Sequence, residues 1–458
     1  MATETATDRL KARAEEIAAR ENAELLDRTK ESAKLYERAI KSLSLGVTSS
    51  FQANDPYPIY GDHGKGSKLW DVDGNEYVDY HNGFGVMAVG HAHPKVVEAI
   101  DRAARSGTHF ALTTPTSVAM AEELCRRFKL DRVRFSNSGT EATMDAIRVG
   151  RAVTGKDLLI KIEASYHGHH DAVFFSVIPS YDEMGPKERP YNVPFSRGIP
   201  KSSGEDIRVV PFNDAAALEK LLDAEGDQIG AMIMEPIMMN VGLIPPNPGY
   251  LERVRELCTK HNVAMIYDEV KTGATIAEGG AIEYFGVQPD LACFAKAIGG
   301  GVPIGAFGGR ADFMDEIGKS LAALGTFNGN PLSTSAGLAA LTEVLTPDAY
   351  EYFGTIGTRL ATGCEKVLKE HGIPSHVRDF GCKGAISYRD EPFQNYRDYL
   401  EAEAELFYGS YPWMLNRGIF MTPGDEEQWT LSVQHTEEDI DRYVDAYAAY
   451  CEVLTRGE

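Results

Sequence analysis

The sequence predicts an α/β fold with a mostly parallel sheet. From about residue 94 to residue 345, short apolar runs typical of buried strands alternate with helical stretches. Two of these runs end at charged residues, Asp268 in one case and Lys296 in the other. Ligands of parallel sheets bind beyond the carboxyl ends of the strands, so we expect the functional site at these two residues.

Composition narrows the class of protein. The 458 residues are many for one core and suggest two lobes. The net charge of −22 disfavours nucleic acid and anionic membranes as partners. The six cysteines form no Cys-x-x-Cys pair, which is typical of reduced thiols in the cytoplasm. We expect no membrane span, because no apolar run is long enough.

The elements follow in order. Residues 8–43 are rich in Ala, Glu, Lys and Arg with spaced apolar residues, which predicts one or two amphipathic helices docked on the body or on a partner subunit. A turn at residues 71–74 precedes a predicted strand at 76–80. Further strands are predicted at 132–135, 158–162, 231–234, 264–267 and 291–294, and helices at 141–152 and 250–261.

Two stretches differ from this alternation. Residues 181–203 contain four prolines and form a predicted long loop, a candidate lid over the site. After Pro347 the helical and strand patterns mix, as expected for a smaller second lobe.

Lys296 lies between an apolar run and Gly299-Gly-Gly301. Burial lowers the pKa of an amine and makes it a nucleophile. A lysine that forms a Schiff base, together with an acid that keeps the pyridine nitrogen protonated, is what pyridoxal phosphate chemistry requires. Glu269 offers an alternative paired-carboxylate site, but neighbouring strand residues point to opposite faces. We therefore assign the contact with the cofactor to Asp268, and we expect Val270, on the same face of the strand, to touch the cofactor ring.

Ser138, Gly139 and Thr140 follow a predicted strand and open a helix. Small residues at a helix N-terminus bind phosphate well, although ordinary helix capping would use the same residue types. The Gly-x-Gly-x-x-Gly pattern of dinucleotide sites is missing there.

The stretch Tyr166-His167-Gly168-His169-His170-Asp171 could suggest zinc. Neighbours in one short loop rarely converge on a metal, so we expect no metal site. We expect Tyr166 to stack on the cofactor ring.

The chain resembles the class III, fold type I pyridoxal-phosphate-dependent aminotransferases, and most of all their glutamate-1-semialdehyde aminomutase branch. The resemblance runs in order from about residue 46 to residue 441. The motifs that carry it are Asn137-Ser-Gly-Thr-Glu-Ala-Thr, Tyr166-His-Gly-His, Glu235-Pro, Tyr267-Asp-Glu-Val, Ala295-Lys-Ala-Ile-Gly-Gly-Gly-Val-Pro and Gly325-Thr-Phe-Asn-Gly-Asn-Pro331.

The resemblance implies roles for single residues. Lys296 would carry pyridoxal 5'-phosphate covalently and Asp268 would hold its pyridine nitrogen, and both are the expected catalytic residues. Asn240 would lie near the phenolic oxygen, and Thr326 would reach the phosphate of a neighbouring subunit in a homodimer with shared active sites. The full expected cofactor set is Ser138, Gly139, Thr140, Tyr166, His167, Asn240, Asp268, Val270, Lys296 and Thr326.

The resemblance also implies a division into domains. Residues 96–345 would form the large cofactor-binding domain with the mostly parallel sheet. Residues 46–95 and 346–458, from both chain ends, would form a smaller α+β domain, and residues 1–45 a helical extension.

Three expected substrate-pocket residues decide the activity that the sequence predicts. Gln52 stands where the aminomutase branch has an arginine for the substrate carboxylate, and Phe84 replaces a tryptophan, while Glu427 keeps a matching acid. An amide cannot supply the charged bidentate fork of arginine. We therefore predict an aminotransferase that moves an amino group between an amine or amino acid and a keto acid or aldehyde. The main alternative is an isomerase, either an aminomutase of the glutamate-1-semialdehyde type or an amino acid racemase. A remote third is a catalytically idle pyridoxal-phosphate-binding protein, which the presence of both Lys296 and Asp268 disfavours.

Overall fold

A computed structural model describes residues 6–424 and 429–456, which form fourteen strands and fifteen α-helices. The strands are β1 (Gly61–Lys65), β2 (Lys68–Asp71), β3 (Glu76–Asp79), β4 (Arg132–Ser136), β5 (Leu158–Ile162), β6 (Ile207–Val210), β7 (Ile229–Met234), β8 (Ala264–Asp268), β9 (Leu291–Phe294), β10 (Gly305–Gly309), β11 (His376–Phe380), β12 (Lys383–Ser387), β13 (Ile419–Phe420) and β14 (Trp429–Thr430). The helices are α1 (Ala6–Arg28), α2 (Lys30–Ala39), α3 (Asn82–Gly85), α4 (Pro94–Ser106), α5 (Pro115–Phe128), α6 (Gly139–Thr154), α7 (Ala215–Glu225), α8 (Tyr250–Lys260), α9 (Gly280–Phe285), α10 (Ala311–Met314), α11 (Pro331–Ala339), α12 (Pro347–Glu370), α13 (Tyr396–Tyr399), α14 (Ala404–Asn416) and α15 (Glu437–Arg456).

A seven-stranded sheet forms the centre, in the order β4-β10-β9-β8-β7-β5-β6. All neighbours pair in parallel except β10, which is antiparallel to both β4 and β9. The predicted α/β fold with a mostly parallel sheet is confirmed. Strand β10 was not predicted because its sequence, Gly-Ala-Phe-Gly-Gly, lacks the β-branched residues typical of strands.

Strands β8 and β9 lie side by side in the middle of this sheet. Asp268 pairs with Cys293, so the two strands end at the same edge. All residues of both strands are buried. The residues that follow them therefore meet above one edge.

Residues from both chain ends share a second sheet. Strand β13 pairs in parallel with β3, with Ile419 opposite Val78, next to β2 and β1. A third sheet has the order β11-β12-β14. The predicted domain boundaries stay a prediction, and this pairing is compatible with a small domain built from both ends.

Helix α1 docks on the C-terminal part of its own chain, which is one of the two docking sites that the sequence left open. Ala14 and Ile17 are buried, and Ala14 lies close to Gly409 of α14. Arg28 Nη1 donates to the carbonyl of Asn416 at 2.6 Å. Among residues 6–424 and 429–456, no helix has the length and apolar character of a membrane span.

Candidate active site

A cavity of about 470 Å³ lies where strands of the central sheet end. Its wall brings together residues from the ends of β4, β5, β7, β8 and β9. The sequence-predicted site residues in this wall are Phe84, Ser138, Gly139, Thr140, Tyr166, His167, Asn240, Asp268, Val270 and Lys296.

Asp268 is the last residue of β8 and is buried. Its Oδ2 lies 2.7 Å from His167 Nδ1, and its Oδ1 accepts from the backbone N–H of Val270 at 3.0 Å. Because a carboxylate only accepts, Nδ1 of His167 is the donor. His167, itself buried, therefore fixes the carboxylate of Asp268 in addition to lining the cavity.

Glu269, the next residue, points away from the cavity into the protein. It is fully buried and accepts from Thr272 Oγ1 and from the backbone N–H groups of Ala281 and Ile282 at 3.0 and 2.9 Å. Burial raises the pKa of Glu269 to about 7. The two adjacent acids thus separate by face, as strand alternation predicts.

Lys296 follows β9 and extends into the cavity. Its Nζ donates to the carbonyl of Phe84 at 3.1 Å and lies 5.9 Å from the centre of the Phe84 ring. Four consecutive residues of the facing turn, residues 82–85, have left-handed φ angles between 46° and 84°. This conformation is unfavourable for phenylalanine and turns the Phe84 carbonyl toward the lysine.

The N-terminus of the sixteen-residue helix α6 forms another part of the wall. Ser138 is its N-cap, with Oγ accepting from Glu141 N at 3.2 Å. A Cβ on Gly139 would lie 3.0 Å from Val270 Cγ2, so a side chain at this position would crowd the loop that follows β8. Capping by Ser138 is compatible with anion binding, since the first N–H groups of an α-helix have no partner within the helix.

Tyr166 lies on a loop, residues 163–176, whose backbone is hydrogen-bonded by two buried side chains, Glu235 and Lys161. Glu235 accepts from Tyr166 N at 3.0 Å and from Asn240 Nδ2 at 3.0 Å. From beneath, Lys161 Nζ donates to the carbonyls of Ser165 at 2.9 Å, Val173 at 3.2 Å and Phe175. Burial raises the pKa of Glu235 and of Tyr166.

Burial also lowers the pKa of Lys161 to about 7, while Glu235 acts in the opposite direction. Lys161 was missed in the sequence, although a lysine inside the apolar run Leu158–Ile162 was a signal for it. A buried amine needs acceptors, and the following loop supplies three of them.

Two predicted site residues, Gln52 and Thr326, lie outside the cavity wall. The Gln52 amide is exposed and its Oε1 accepts from Thr48 Oγ1 at 2.6 Å and from Ser49 N at 3.1 Å, whereas its neighbour Phe51 lines the cavity. Thr326 is exposed and does not line the cavity of its own chain. Glu427 lies outside the described residues.

Comparison with known proteins gives the family. The sequence profile of the family "Aminotransferase class-III" matches residues 50–406. The chain belongs to the class III aminotransferases. Over 430 residues it is 37% identical to glutamate-1-semialdehyde 2,1-aminomutase 1 of Staphylococcus carnosus (strain TM300), covering 93% of this chain and 98% of that protein.

Two solved structures share the fold of this class III aminotransferase. The omega-transaminase from Sphaerobacter thermophilus has a TM-score of 0.88 and 34% identity, covering 92% of this chain and 97% of that one. A glutamate-1-semialdehyde-aminomutase from Pseudomonas aeruginosa PAO1 has a TM-score of 0.88 and 27% identity, covering 97% and 99%. The TM-score is the same for the transaminase and for the aminomutase, so the fold does not distinguish the two reactions. The reaction has to be inferred from the residues of the site.

The family uses pyridoxal 5'-phosphate, as predicted, and the residues of this chain fit that cofactor. The N-terminus of α6 suits a phosphate, the buried Asp268 suits a protonated ring nitrogen, and Lys296 suits the aldehyde. Across the described residues no group of three or more His, Cys, Asp or Glu side chains could hold a metal ion.

Proposed function

We propose that this class III aminotransferase transfers the amino group between two molecules and does not isomerise one. The observation that carries the proposal is the charge of the cavity wall. Over residues 6–424 and 429–456 the wall includes no arginine, and its lysines are Lys271 and Lys296. A substrate recognised through an arginine fork has no such partner here.

The chain's own residues have separate parts in this transfer. When bound, pyridoxal phosphate supplies an electron sink for the bonds at the amino-bearing carbon. Asp268, fixed by His167, keeps a proton at the ring nitrogen. Lys296 Nζ lies 3.1 Å from the Phe84 carbonyl. From there it would move a proton between the amino-bearing carbon of the substrate and the aldehyde carbon of the cofactor.

The test compares two reactions of the purified holoenzyme. One sample receives glutamate-1-semialdehyde alone, and the other receives an amine with pyruvate or 2-oxoglutarate. We expect amino-acid formation in the second to exceed 5-aminolevulinate formation in the first. Efficient production of 5-aminolevulinate without a keto acid would instead establish the isomerase.

We also propose that the active enzyme is a homodimer. Thr326 lies on an exposed loop beside the exposed apolar side chains Leu324 and Phe327, which are 85% and 58% exposed. The Phe327 ring is 5.2 Å from that of His109, next to the exposed Phe110. An apolar surface of this kind fits a second copy, whose cofactor phosphate Thr326 would reach.

Subunit mixing tests this arrangement. Thr326→Ala is expected to weaken cofactor retention, and mixing it with Lys296→Ala chains should restore one intact site per mixed dimer. Retention is measured by absorbance after dialysis, with mass from sedimentation. A fully active monomer, or a Thr326→Ala defect that mixing does not repair, would contradict the shared site.

A cytoplasmic location is a further part of the proposal. The structure describes all six cysteines, none of them in a disulfide and five of them buried, as suits a reducing compartment. Cell fractionation with an antibody to the chain measures this directly, and recovery in an exported fraction would contradict it.

A further inference from the structure

The part of the cavity wall outside the cofactor residues is largely apolar. Its side chains include Phe51, Phe84, Val86, Val177, Ile178 and Phe195. They come from segments distant in sequence, and three of the six are aromatic. A wall of this composition binds apolar groups by removing them from water.

The aromatic rings of the wall form a cluster, and one of them, Phe84, lies near the nitrogen of Lys296. The Phe51 ring lies 5.9 Å from the Phe84 ring, and it meets the Tyr166 ring edge-on at 6.1 Å and 88°. Lys296 Nζ lies 5.9 Å from the centre of the Phe84 ring. These spacings are those of favourable aromatic pairs, so another ring beside the lysine would find both faces and edges to pack on.

Among the described residues, the wall has two lysines, Lys271 and Lys296, and two acids that disfavour a carboxylate beside them. Its acids, Glu235 and Asp268, are both buried and hydrogen-bonded by the loop around Tyr166 and by His167. A carboxylate of the amino donor placed against the phenylalanine and valine side chains would lose hydration, because those side chains offer no hydrogen-bond donor.

We propose that the amino donor is a primary amine whose amino-bearing carbon carries an aryl ring, with the ring held by Phe51 and Phe84. This inference rests on the proposed transferase function and names its substrate class. The balanced reaction for the simplest probe is benzylamine plus pyruvate giving benzaldehyde plus alanine. The donor's C–N bond is replaced by a C=O bond, and the keto acid undergoes the reverse change.

The donor test uses the holoenzyme with pyruvate and three donors: benzylamine, butylamine and glutamate. We expect kcat/KM for benzylamine to exceed that for butylamine by about 10-fold or more, as an apolar pocket discriminates. If butylamine or glutamate is used equally well or better, the aryl pocket is wrong while the transferase stands. If no donor reacts but glutamate-1-semialdehyde isomerises, the proposed function itself fails.

A binding measurement separates recognition from chemistry. Benzyl alcohol cannot react, so calorimetry with the holoenzyme reports the pocket alone, and we expect it to bind about 10-fold more tightly than butanol. Phe51 is 57% exposed, so Phe51→Ala should fold and lose most of this preference. Tyr284→Ala, at an aromatic residue 51% exposed outside the cavity, is the matched control and should keep it. A preference that survives Phe51→Ala would overturn the assignment.

Discussion

The cofactor half and the substrate half of the cavity are built in different ways. In the cofactor half, Asp268 ends β8, Lys296 follows β9 and Ser138 caps helix α6, and the buried His167 holds Asp268. In the substrate half, Phe51 and Phe195 belong to connecting segments outside the central sheet. The first half is therefore fixed by the sheet, while the second can change without disturbing it.

The largest effect is expected at Lys296. Lys296→Ala should reduce turnover by about 10⁴-fold or more, because the chain loses both its covalent attachment and its proton carrier. Borohydride reduction of the parent holoenzyme and peptide mass mapping should place the phosphopyridoxyl group on Lys296. Lys271, in the same cavity wall, is the internal control, and a label there would break the assignment.

Asp268 is expected to come next. Asp268→Asn should lower kcat by about 10²- to 10³-fold, the range for one lost electrostatic partner of a reacting group. The visible absorption of the bound cofactor should change as well, since an amide does not hold the ring proton. Glu269→Gln is the matched neighbour on the opposite face and should leave that absorption unchanged; a spectral change there would contradict the separation of the two acids by face.

Lys161 tests whether the cofactor half of the cavity depends on the hydrogen bonds that this lysine donates to the Tyr166 loop. Lys161→Met leaves three buried carbonyls without their donor and should lower the free energy of unfolding by about 1–3 kcal/mol. Because these carbonyls shape the Tyr166 loop, cofactor affinity should fall too. Urea unfolding and cofactor dissociation measure the two effects.

Lys156 supplies the control for that experiment. It precedes β5 and donates to the carbonyls of Gly226, His261 and Asn262 at 2.9, 2.7 and 3.1 Å, none of which lines the cavity. Lys156→Met should lower stability without changing cofactor affinity. Equal losses of cofactor affinity in both variants would show that general destabilisation explains the Lys161 effect.

The last effect is a pH dependence at Glu269. Its pKa is raised from 4.5 to about 7 in the folded chain, so between these values the folded state binds more protons than the unfolded state. Its contribution to stability is then complete below about pH 4.5 and is lost as the pH rises through about 7. The difference in unfolding free energy between the parent and Glu269→Gln should fall across this range, and a flat difference would contradict the raised pKa.

The sequence predicted the residues of the cofactor half of the cavity better than those of the substrate half. Asp268, Lys296 and the start of α6 were found because strand ends and helix starts have local signals. Phe51 was missed and its neighbour Gln52 chosen, because no local pattern tells which side chain of the turn Ser50–Gln52 faces a cavity formed by distant residues. The antiparallel β10 was missed because close backbone approach selects glycines there: a Cβ on Gly309 would lie 2.0 Å from the Asp290 carbonyl oxygen.

The left-handed turn at residues 82–85 also determines how readily this pocket can change by mutation. Phe84 has a φ of 59°, a conformation that costs an L-residue about 1–2 kcal/mol and glycine almost nothing. Replacement by alanine would lose the ring and keep that cost, whereas Phe84→Gly would lose the ring and relax the backbone. A substitution that widens the pocket here thus also removes the unfavourable backbone conformation, which offsets part of the stability lost with the ring. Mutations that change the substrate range are therefore tolerated better at this position than at the residues anchored on the central sheet.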